Sequence, residues 1–164
     1  MEKIRIGLLI ISDSSFSGER ADLTTPLFER KIKNIGWELC LTAIVPDEQE
    51  KIIDILSEWA DGLRVDVILT SGGTGFSPRD ITPEATIKVL NRQAPGIAEF
   101  LRAEGLKTTP FSTLSRGVAG IRKTSLIINL PGNPQAAVDG LDLLCPVLPH
   151  AVQLMQNIKA DHSS

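Results

Sequence analysis

Three polar segments that contain glycine or serine each follow an apolar run typical of a buried β-strand. They cover residues 12–18, 71–80 and 129–134. Because ligands of open parallel sheets bind beyond the carboxyl ends of the strands, we expect the three segments to meet at one edge of a sheet. Their convergence would form a single crevice, and this convergence is stronger evidence for a ligand-binding site than any one segment alone.

The middle segment has the residue types that bind an anion. Gly72, Gly73 and Gly75 let the main chain approach a ligand and turn its N–H groups toward it, and Thr74 adds a hydroxyl. The helix expected after this segment would offer further unpaired N–H donors. No Gly-Lys-Ser/Thr follows, so the segment is not a P-loop, and it lacks the GxGxxG pattern. A flexible turn between strand and helix is the alternative interpretation.

Two carboxylates could hold a divalent cation. Asp47 and Asp80 each follow a predicted strand, just before or within the turn that leads to a helix. Mg²⁺ prefers hard oxygen ligands and usually takes one or two carboxylates together with substrate phosphates. Asp47 could instead cap a helix, and Asp80 could be a turn residue or an ion-pair partner of Arg79. The residues alone give the two interpretations equal weight.

Basic and hydroxyl side chains in the later part of the chain are further candidates. Ser115 and Arg116, with Arg122 and Lys123 close behind, could supply hydrogen-bond donors and positive charge to a phosphate. A solvated surface loop would have the same composition. The residues themselves slightly favour the loop.

Two amides and two imidazoles complete the inventory. Asn129 and Asn133 bracket a Leu-Pro-Gly sequence, which is either a rigid turn or a place where amides recognise a base or a pterin. His150 falls in a predicted C-terminal helix and His162 in the tail, so neither is near the three segments. A histidine-based triad or zinc centre is therefore not expected, and the chemistry must proceed without imidazole.

The elements that must position these residues alternate between strands and helices. Apolar runs predict strands over residues 4–11, 37–45, 65–70 and 125–130. Helical spacing and start signals predict a helix over residues 23–34 that stops at Gly36, and a second helix that begins after residues 47–48. A third helix is predicted to begin with Thr82 as N-cap and Pro83 at the first position, and a fourth to cover residues 96–106. Two more are predicted, one from Pro134 and a last one that reaches residue 157. Residues 108–123 are predicted to be rich in loops. The alternation predicts a three-layer α/β sandwich with helices on both sides of a mostly parallel central sheet.

Composition and charge restrict the class of protein. The chain has 164 residues, of which 42% are hydrophobic, and we expect one domain over residues 1–160 followed by a frayed tail at 161–164. The net charge of −3 argues against nucleic acid or an anionic membrane as partner. Cys40 and Cys145 are interpreted as small core residues rather than a disulfide. The first apolar run is too short to span a membrane and no signal-peptide pattern follows, which predicts a cytoplasmic protein.

Taken together, these motifs resemble a known family. The residues that carry the resemblance read VPDE at 45–48, TSGGTG at 70–75, RDITPEA at 79–85, LSR at 114–116, GIR at 120–122 and INLPGNP at 128–134. The ordered set, which covers nearly the whole chain, resembles the molybdopterin-binding MoaB/Mog superfamily. Within it, the chain is most similar to the MogA type, the molybdopterin adenylyltransferases, which also occur as the G domains of gephyrin and plant Cnx1.

The resemblance implies a reaction and partners. It implies Mg²⁺-dependent transfer of AMP from ATP to the terminal phosphate of molybdopterin, with release of pyrophosphate, in molybdenum cofactor biosynthesis. It also implies a homotrimer and a hand-over of the product to a molybdenum insertase. The alternative is a non-catalytic, MoaB-like pterin-binding or scaffold paralogue, and a generic nucleotide-binding domain is a third candidate.

The resemblance also implies roles for individual residues. Asp47 and Asp80 would be the catalytic pair that holds Mg²⁺ and its water shell, and Glu84 would belong to the surface of its helix. The main chain and hydroxyl of the glycine-rich loop would bind phosphate. The implied substrate-binding residues are Asp13, Ser14, Gly72, Gly73, Thr74, Gly75, Ser115, Arg116, Asn129, Pro131, Gly132 and Asn133.

Overall fold

The computed structural model describes residues 3–156. The predicted tail at 161–164, His162 and the predicted end of the last helix at residue 157 lie outside the described residues. In chain order the elements are β1 (Arg5–Ile11), α1 (Asp13–Ser17), α2 (Thr24–Ile35), β2 (Glu38–Val45), α3 (Gln49–Gly62), β3 (Val67–Ser71), α4 (Thr82–Val89), β4 (Arg92–Gln93), α5 (Pro95–Gly105), a 3₁₀ helix (Pro110–Leu114), β5 (Ala119–Arg122), β6 (Ser125–Leu130), α6 (Pro134–Leu144) and α7 (Leu148–Met155).

The strands form a six-stranded sheet in the order β2-β1-β3-β6-β5-β4. β2, β1, β3 and β6 run parallel; at one side β5 pairs antiparallel with β6, and β4 pairs antiparallel with β5. Every residue of β3 and β6 is buried, which explains why these strands are nearly continuous apolar runs rather than alternating ones. The carboxyl ends of the four parallel strands lie at the same edge of the sheet.

Two apolar clusters cover the two faces of this sheet. On one face, Phe28 of α2 and Leu141 of α6 pack against the sheet, together with α7 and part of α5. On the other, Leu56 and Trp59 of α3 pack with Ala85 of α4. Successive residues of β1 alternate between the two clusters, as the two-residue period of a strand requires. The predicted three-layer α/β sandwich with a mostly parallel sheet is confirmed.

The sequence interpretation missed some short elements. β5 lies in the stretch 108–123 predicted to be loops, β4 lies between two predicted helices, and the two strands pair with each other over only two residues. Gly120 of β5 looked like a loop residue, but a Cβ there would lie 2.5 Å from the Arg92 carbonyl oxygen, so the close approach of β4 requires glycine. The five-residue α1 was likewise predicted as loop, because five residues are too short for a helical pattern.

The two cysteines lie on opposite faces of the sheet. Cys40 packs beside the α3–α4 cluster and Cys145 beside the α2–α6 cluster, and both are free and partly buried. The sheet therefore separates the thiols, in agreement with the interpretation as small core residues. Among residues 3–156, no helix is long and apolar enough to cross a membrane.

A tight contact between β1 and α3 gives a first prediction. A Cβ on Gly7 would lie 2.8 Å from Cε3 of Trp59, a ring that is only 4% exposed and has no room to move. We expect Gly7→Ala to lower the free energy of unfolding by about 1–3 kcal/mol, since overpacking forces side chains or backbone to shift. Urea unfolding followed by fluorescence measures this change.

The matched control is Gly62→Ala at the end of the same helix, where a Cβ would meet nothing within 4 Å. This variant should change the stability by less than about 1 kcal/mol. Equal stability of the two variants would mean that the packing of Trp59 does not require glycine at position 7.

Candidate active site

The segments that follow β1, β2, β3 and β6 enclose an open cavity of about 390 Å³. The cavity lies beyond the end of β1, which has β2 on one side and β3 on the other. The order of the strands along the chain changes direction here, and this is the usual place for a ligand in an open parallel sheet. The lining residues are Ile10, Ile11, Ser12, Ser15, Arg20, Ala21, Asp22, Leu23, Thr24, Asp47, Ser71, Gly72, Gly73, Asp80, Gly132, Asn133 and Pro134. The three segments singled out in the sequence therefore meet, as expected.

Glycine is required where the loop after β3 crosses its neighbours. Gly72 has a φ of +109°, and a Cβ there would lie 2.1 Å from the carbonyl oxygen of Ile11. Gly73 has a φ of +67°, and its Cβ would lie 2.3 Å from Oγ1 of Thr82. The N–H groups of Gly73, Thr74 and Gly75 donate to no group among residues 3–156. This loop therefore combines the close approach and the unpaired main-chain donors that an anion needs.

Thr82 does not cap α4 as predicted. Its hydroxyl donates to the carbonyl oxygen of Gly72 over 2.9 Å, and its N–H donates to the carbonyl oxygen of Gly73 over 3.1 Å. Thr82 is already within the helix, and Ile81 occupies the cap position without a side-chain bond. The hydroxyl thus fixes the glycine turn instead of satisfying the helix terminus.

Asp13 and Asp47 hold each other at the ends of β1 and β2. The Asp13 N–H donates to Oδ2 of Asp47 over 2.9 Å, and the Asp47 N–H donates to Oδ1 of Asp13 over 3.0 Å. Arg79 adds a two-pronged ion pair, with Nε and Nη2 each 2.9 Å from an oxygen of Asp13. Two alternatives from the sequence are therefore wrong: Asp47 does not cap α3, and Arg79 pairs with Asp13 rather than with Asp80.

The surroundings shift the pKa values of this carboxylate pair in opposite directions. Burial raises the pKa of Asp47 above its ordinary 3.8; the N–H of Asp13 opposes this shift, and the negative charges of Asp13 and Asp80 add to it. The hydrogen bond from Arg79 is the main reason why the pKa of Asp13 is lowered. Burial and the neighbouring negative charges thus disfavour the charged form of Asp47 by more than the main-chain donor favours it.

Asp80 reaches the same cavity from the loop before α4. Its Oδ2 accepts the Ser77 N–H over 3.0 Å, and its own N–H donates to the Ser77 carbonyl oxygen over 2.9 Å. Its negative charge is close enough to raise the pKa of Asp47. The structure thus brings the two predicted metal ligands to one cavity, and Gly73 lies beside Asp47 and Thr82.

Arg116 braces the glycine-rich loop from outside the cavity. Its Nε donates to the Gly75 carbonyl oxygen over 2.8 Å and its Nη2 to the Asp80 carbonyl oxygen over 2.9 Å. Its Nη1 pairs with Oε1 of Glu84. The guanidinium holds the loop through these partners, and the direct contact between Arg116 and a substrate phosphate stays a prediction.

Glu84 is part of the same brace, and its side chain is 42% exposed on the surface of α4. Burial is the largest single influence and would raise the pKa of Glu84. The hydrogen bond from Arg116, a main-chain hydrogen bond and the positive charge of Arg116 together outweigh burial, so the pKa is lowered. Its Oε2 is buried and has no hydrogen-bond partner among the described residues. Glu84 therefore depends on Arg116, and it does not line the cavity.

Asn129 has a structural role. It is 5% exposed; its Oδ1 accepts the Val118 N–H over 3.1 Å, and its Nδ2 donates to the hydroxyls of Thr70 and Thr86. All of its hydrogen-bonding groups are used within the protein. The predicted contact of this amide with a nucleotide or pterin is therefore not supported by its position.

The remaining predicted residues divide by position. Gly132 and Asn133 line the cavity, and Asn133 also caps α6 by accepting the Ala136 N–H over 3.0 Å. The carbonyl oxygen of Pro131 accepts the Ser71 hydroxyl over 2.8 Å and ties the loop after β6 to β3. Residues outside the cavity lining are Asp13, Ser14, Thr74, Gly75, Ser115, Arg116, Asn129 and Pro131, of which several hold the lining residues in place.

Some candidates are far from the cavity, and other residues were missed. Arg122 and Lys123 pair with Asp61 at the end of α3, so they are not available to a phosphate at the carboxyl edge. His150 lies on α7 and is not part of the lining. The sequence interpretation included Ser12 and Ser15 only as part of the segment 12–18, and it assigned no role to Arg20, Asp22 and Thr24, which also line the cavity. The N-cap signal of α1 at Ser12 was the feature that marked this segment as a wall beside β1.

The brace around Arg116 gives a second prediction. Arg116→Gln should leave Glu84 without its ion pair and free the carbonyl oxygens of Gly75 and Asp80, at a cost of about 1–3 kcal/mol to the local structure. Hydrogen exchange of the Asp80 and Thr82 amides should accelerate about tenfold or more. Exchange measured by NMR or mass spectrometry checks this.

The control is Arg30→Gln on the exposed surface of α2, which removes the same charge outside the cavity. Exchange in the glycine-rich loop should be unchanged in this variant. Unchanged exchange in the Arg116 variant would instead show that the loop does not need the brace.

Comparison with known proteins agrees with this geometry. Residues 7–150 match a family model described as a probable molybdopterin binding domain. The chain is 40% identical to the molybdopterin adenylyltransferase of Helicobacter pylori (strain J99) over 94% of this chain and 89% of that protein. It is also 39% identical to the molybdenum cofactor synthesis protein cinnamon of Drosophila melanogaster over 94% of this chain, which spans only 26% of that longer protein.

A solved structure supports the same relationship. A Thermus thermophilus protein described as the molybdopterin biosynthesis enzyme MoaB superposes with a TM-score of 0.88 and 47% identity, covering 94% of this chain and 97% of that one. By its fold, its motifs and these relationships, the chain belongs to the family of molybdopterin-binding domains.

Proposed function

We propose that this protein transfers AMP from ATP to the terminal phosphate of molybdopterin and releases pyrophosphate. The observation that supports this most is the meeting of Asp47 and Asp80 with the Gly72–Gly73 turn in one cavity. Carboxylates that can share a cation and main-chain donors that can bind phosphate are the two requirements of the reaction. Curated relatives that this chain covers over 74% or more of their own length support the same reaction, since they are named molybdopterin adenylyltransferases.

The nucleophile in this reaction needs no general base. The terminal phosphate of molybdopterin has a second pKa of about 6 and is largely ionised at neutral pH. One of its oxygens forms a bond to the α-phosphorus of ATP while the bond from that phosphorus to the β-phosphate bridging oxygen breaks. The leaving group is pyrophosphate. A cavity without imidazole in its lining suits this chemistry.

The protein's contribution is to position crowded negative charges and to stabilise them. The unpaired N–H groups of Gly73, Thr74 and Gly75 would donate to phosphate oxygens, on which charge accumulates during transfer. Thr82 holds the turn that presents these donors. Arg116 holds the Gly75 and Asp80 ends of the same loop, so the donors and the carboxylate keep a fixed spacing.

Asp47 and Asp80 suit Mg²⁺ and are the residues that would hold it. No group of three or more His, Cys, Asp or Glu residues that could bind a metal occurs within residues 3–156. Two carboxylates are nevertheless the usual protein share for Mg²⁺, with water and substrate phosphates completing the shell. Burial is the main reason why the pKa of Asp47 is raised, and the negative charges of Asp13 and Asp80 add to it; a cation bound here would offset those two charges. When bound, Mg²⁺ supplies positive charge that offsets the negative charge of the phosphates.

The remaining parts of the proposal rest on the family resemblance. We propose one domain over residues 1–160, a homotrimer, a cytoplasmic location, and transfer of the product to a molybdenum insertase. The proposed transfer to an insertase draws on cinnamon, because the segment of cinnamon that matches this chain is only 26% of that longer protein.

A non-catalytic pterin-binding paralogue is the second candidate. It draws on the 47% identity to the Thermus MoaB structure. The retained Asp47 and Asp80 favour the enzyme, because a module that only binds the pterin has no need of a paired carboxylate site. Pyrophosphate release that requires both ATP and molybdopterin distinguishes the two candidates.

The third prediction tests the carboxylates directly. Asp47→Asn and Asp80→Asn should each lower adenylyl transfer at saturating Mg²⁺ by at least about 100-fold, because charge stabilisation at the phosphates is lost. Pyrophosphate release is the measurement. Asp54→Asn on the exposed side of α3 removes the same charge away from the cavity and should retain wild-type turnover. Wild-type rates in both site variants would contradict the metal assignment.

The fourth prediction concerns stability and pH. Because the pKa of Asp47 is higher in the folded protein than its ordinary 3.8, folding is penalised at pH values where Asp47 is charged, and the penalty vanishes below pH 3.8. Asp47→Asn removes this penalty, so it should raise the free energy of unfolding at pH 7 by less than about 1 kcal/mol. Urea unfolding at pH 7 and pH 3 checks the sign: the gain should disappear at pH 3. A less stable variant at pH 7 would contradict it.

A further inference from the structure

The charges that face the cavity are unbalanced. Its charged lining residues are Asp22, Asp47, Asp80 and Arg20, so Arg20 is the one cationic side chain within the described lining. The proposed ligands are polyanions. Their phosphate groups must therefore find positive charge from a bound cation, from main-chain donors, or from Arg20.

The other arginines that surround the glycine-rich loop are already occupied. Arg79 makes its two-pronged ion pair with Asp13. Arg116 is bound to Gly75, Asp80 and Glu84. Neither can turn to a phosphate without giving up contacts that shape the site.

Arg20, in contrast, has an exposed guanidinium that forms no hydrogen bond or ion pair with residues 3–156. The nearby Asp22 does not pair with Arg20, because its carboxylate accepts the N–H groups of Thr24 and Thr25 at the start of α2. Asp22 is thus occupied in capping, and Arg20 is left free to bind an external anion.

The main chain holds Arg20 at the cavity. The Arg20 N–H donates to the Ser14 carbonyl oxygen over 3.1 Å, which ties it back to α1. Gly18, with a φ of +82°, ends α1 and reverses the chain so that residue 20 returns toward the cavity. At the other end of α1, Ser12 accepts the Ser15 N–H and so fixes this short helix beside β1. A long cationic side chain is thereby presented from a fixed backbone.

We propose that Arg20 is a substrate-binding residue that contacts phosphate oxygens of the ligand in this cavity. The inference rests on the proposed function for the identity of the ligand, which is a phosphate anion supplied by ATP or by molybdopterin. A planar guanidinium suits two phosphate oxygens at once, and Arg20 lines the same cavity as Gly72 and Gly73 of the glycine-rich loop. The anion would thus be held by the guanidinium as well as by main-chain donors.

The test uses binding as well as turnover. Arg20→Gln should weaken the binding of inorganic pyrophosphate and of Mg·ATP about tenfold in calorimetry, with Arg20→Lys in between, and the difference from wild type should shrink as salt rises. Steady-state kinetics then identify the source: KM rises for ATP if Arg20 contacts the nucleotide, and for molybdopterin if it contacts the pterin phosphate. The matched control Arg30→Gln removes the same charge from the outer surface of α2 and should bind as the wild type does.

The outcomes separate this inference from the proposed function. If the wild type transfers AMP while Arg20→Gln keeps wild-type pyrophosphate binding and both KM values, the inference is overturned and the function stands. If the wild type binds pyrophosphate and Arg20→Gln weakens that binding but no transfer occurs, the inference stands and the function fails. Failure of the wild type to bind pyrophosphate, ATP or molybdopterin would overturn the role of Arg20.

Discussion

The close approach of three main-chain segments at Gly72 determines the geometry of the site. Gly72 lies against the Ile11 carbonyl oxygen that ends β1, and a Cβ on Gly132 would lie 3.3 Å from the Cα of Gly72. The N–H of Gly72 donates to the Leu130 carbonyl oxygen at the end of β6. Since there is no space for a side chain at this point, the loops after β1, β3 and β6 come together as bare backbone. Everything that lines the cavity is placed relative to this crossing.

Around that crossing, the polar side chains have two different tasks. Asp13, Arg79, Arg116 and Glu84 bond mainly to one another and to the loops, so they stabilise the shape of the site. Asp47 and Asp80 face the cavity, and burial keeps the pKa of Asp47 raised. A residue's presence in a family motif thus does not by itself indicate contact with the ligand. Arg116 and Asn129 belong to such motifs, yet their hydrogen-bonding groups are used inside the protein.

The fold and the place of the site could be predicted from the sequence, because they depend on local patterns. The apolar run of β6 and its bounds at residues 125–130 were predicted as found, and the glycines of the middle segment marked the anion loop. Partner choice could not be predicted, since it depends on tertiary distances: Arg79 is next to Asp80 in sequence but pairs with Asp13. The role of Thr82 could not be predicted either, because its hydroxyl donates to the carbonyl oxygen of Gly72, and the position of that oxygen is set by the crossing at Gly72. β4 and β5 were missed because pairs of so few residues leave no periodic signal.

The parallel order of the sheet has a consequence for how folding and ligand affinity are related. The cavity walls come from segments that follow the first, second, third and sixth strands, so no part of the chain can form the cavity until the central sheet has assembled. Substrates should therefore bind only the native state, and by mass action they should raise the melting temperature in proportion to the logarithm of their concentration. For this chain, thermal shift becomes a direct assay of occupancy.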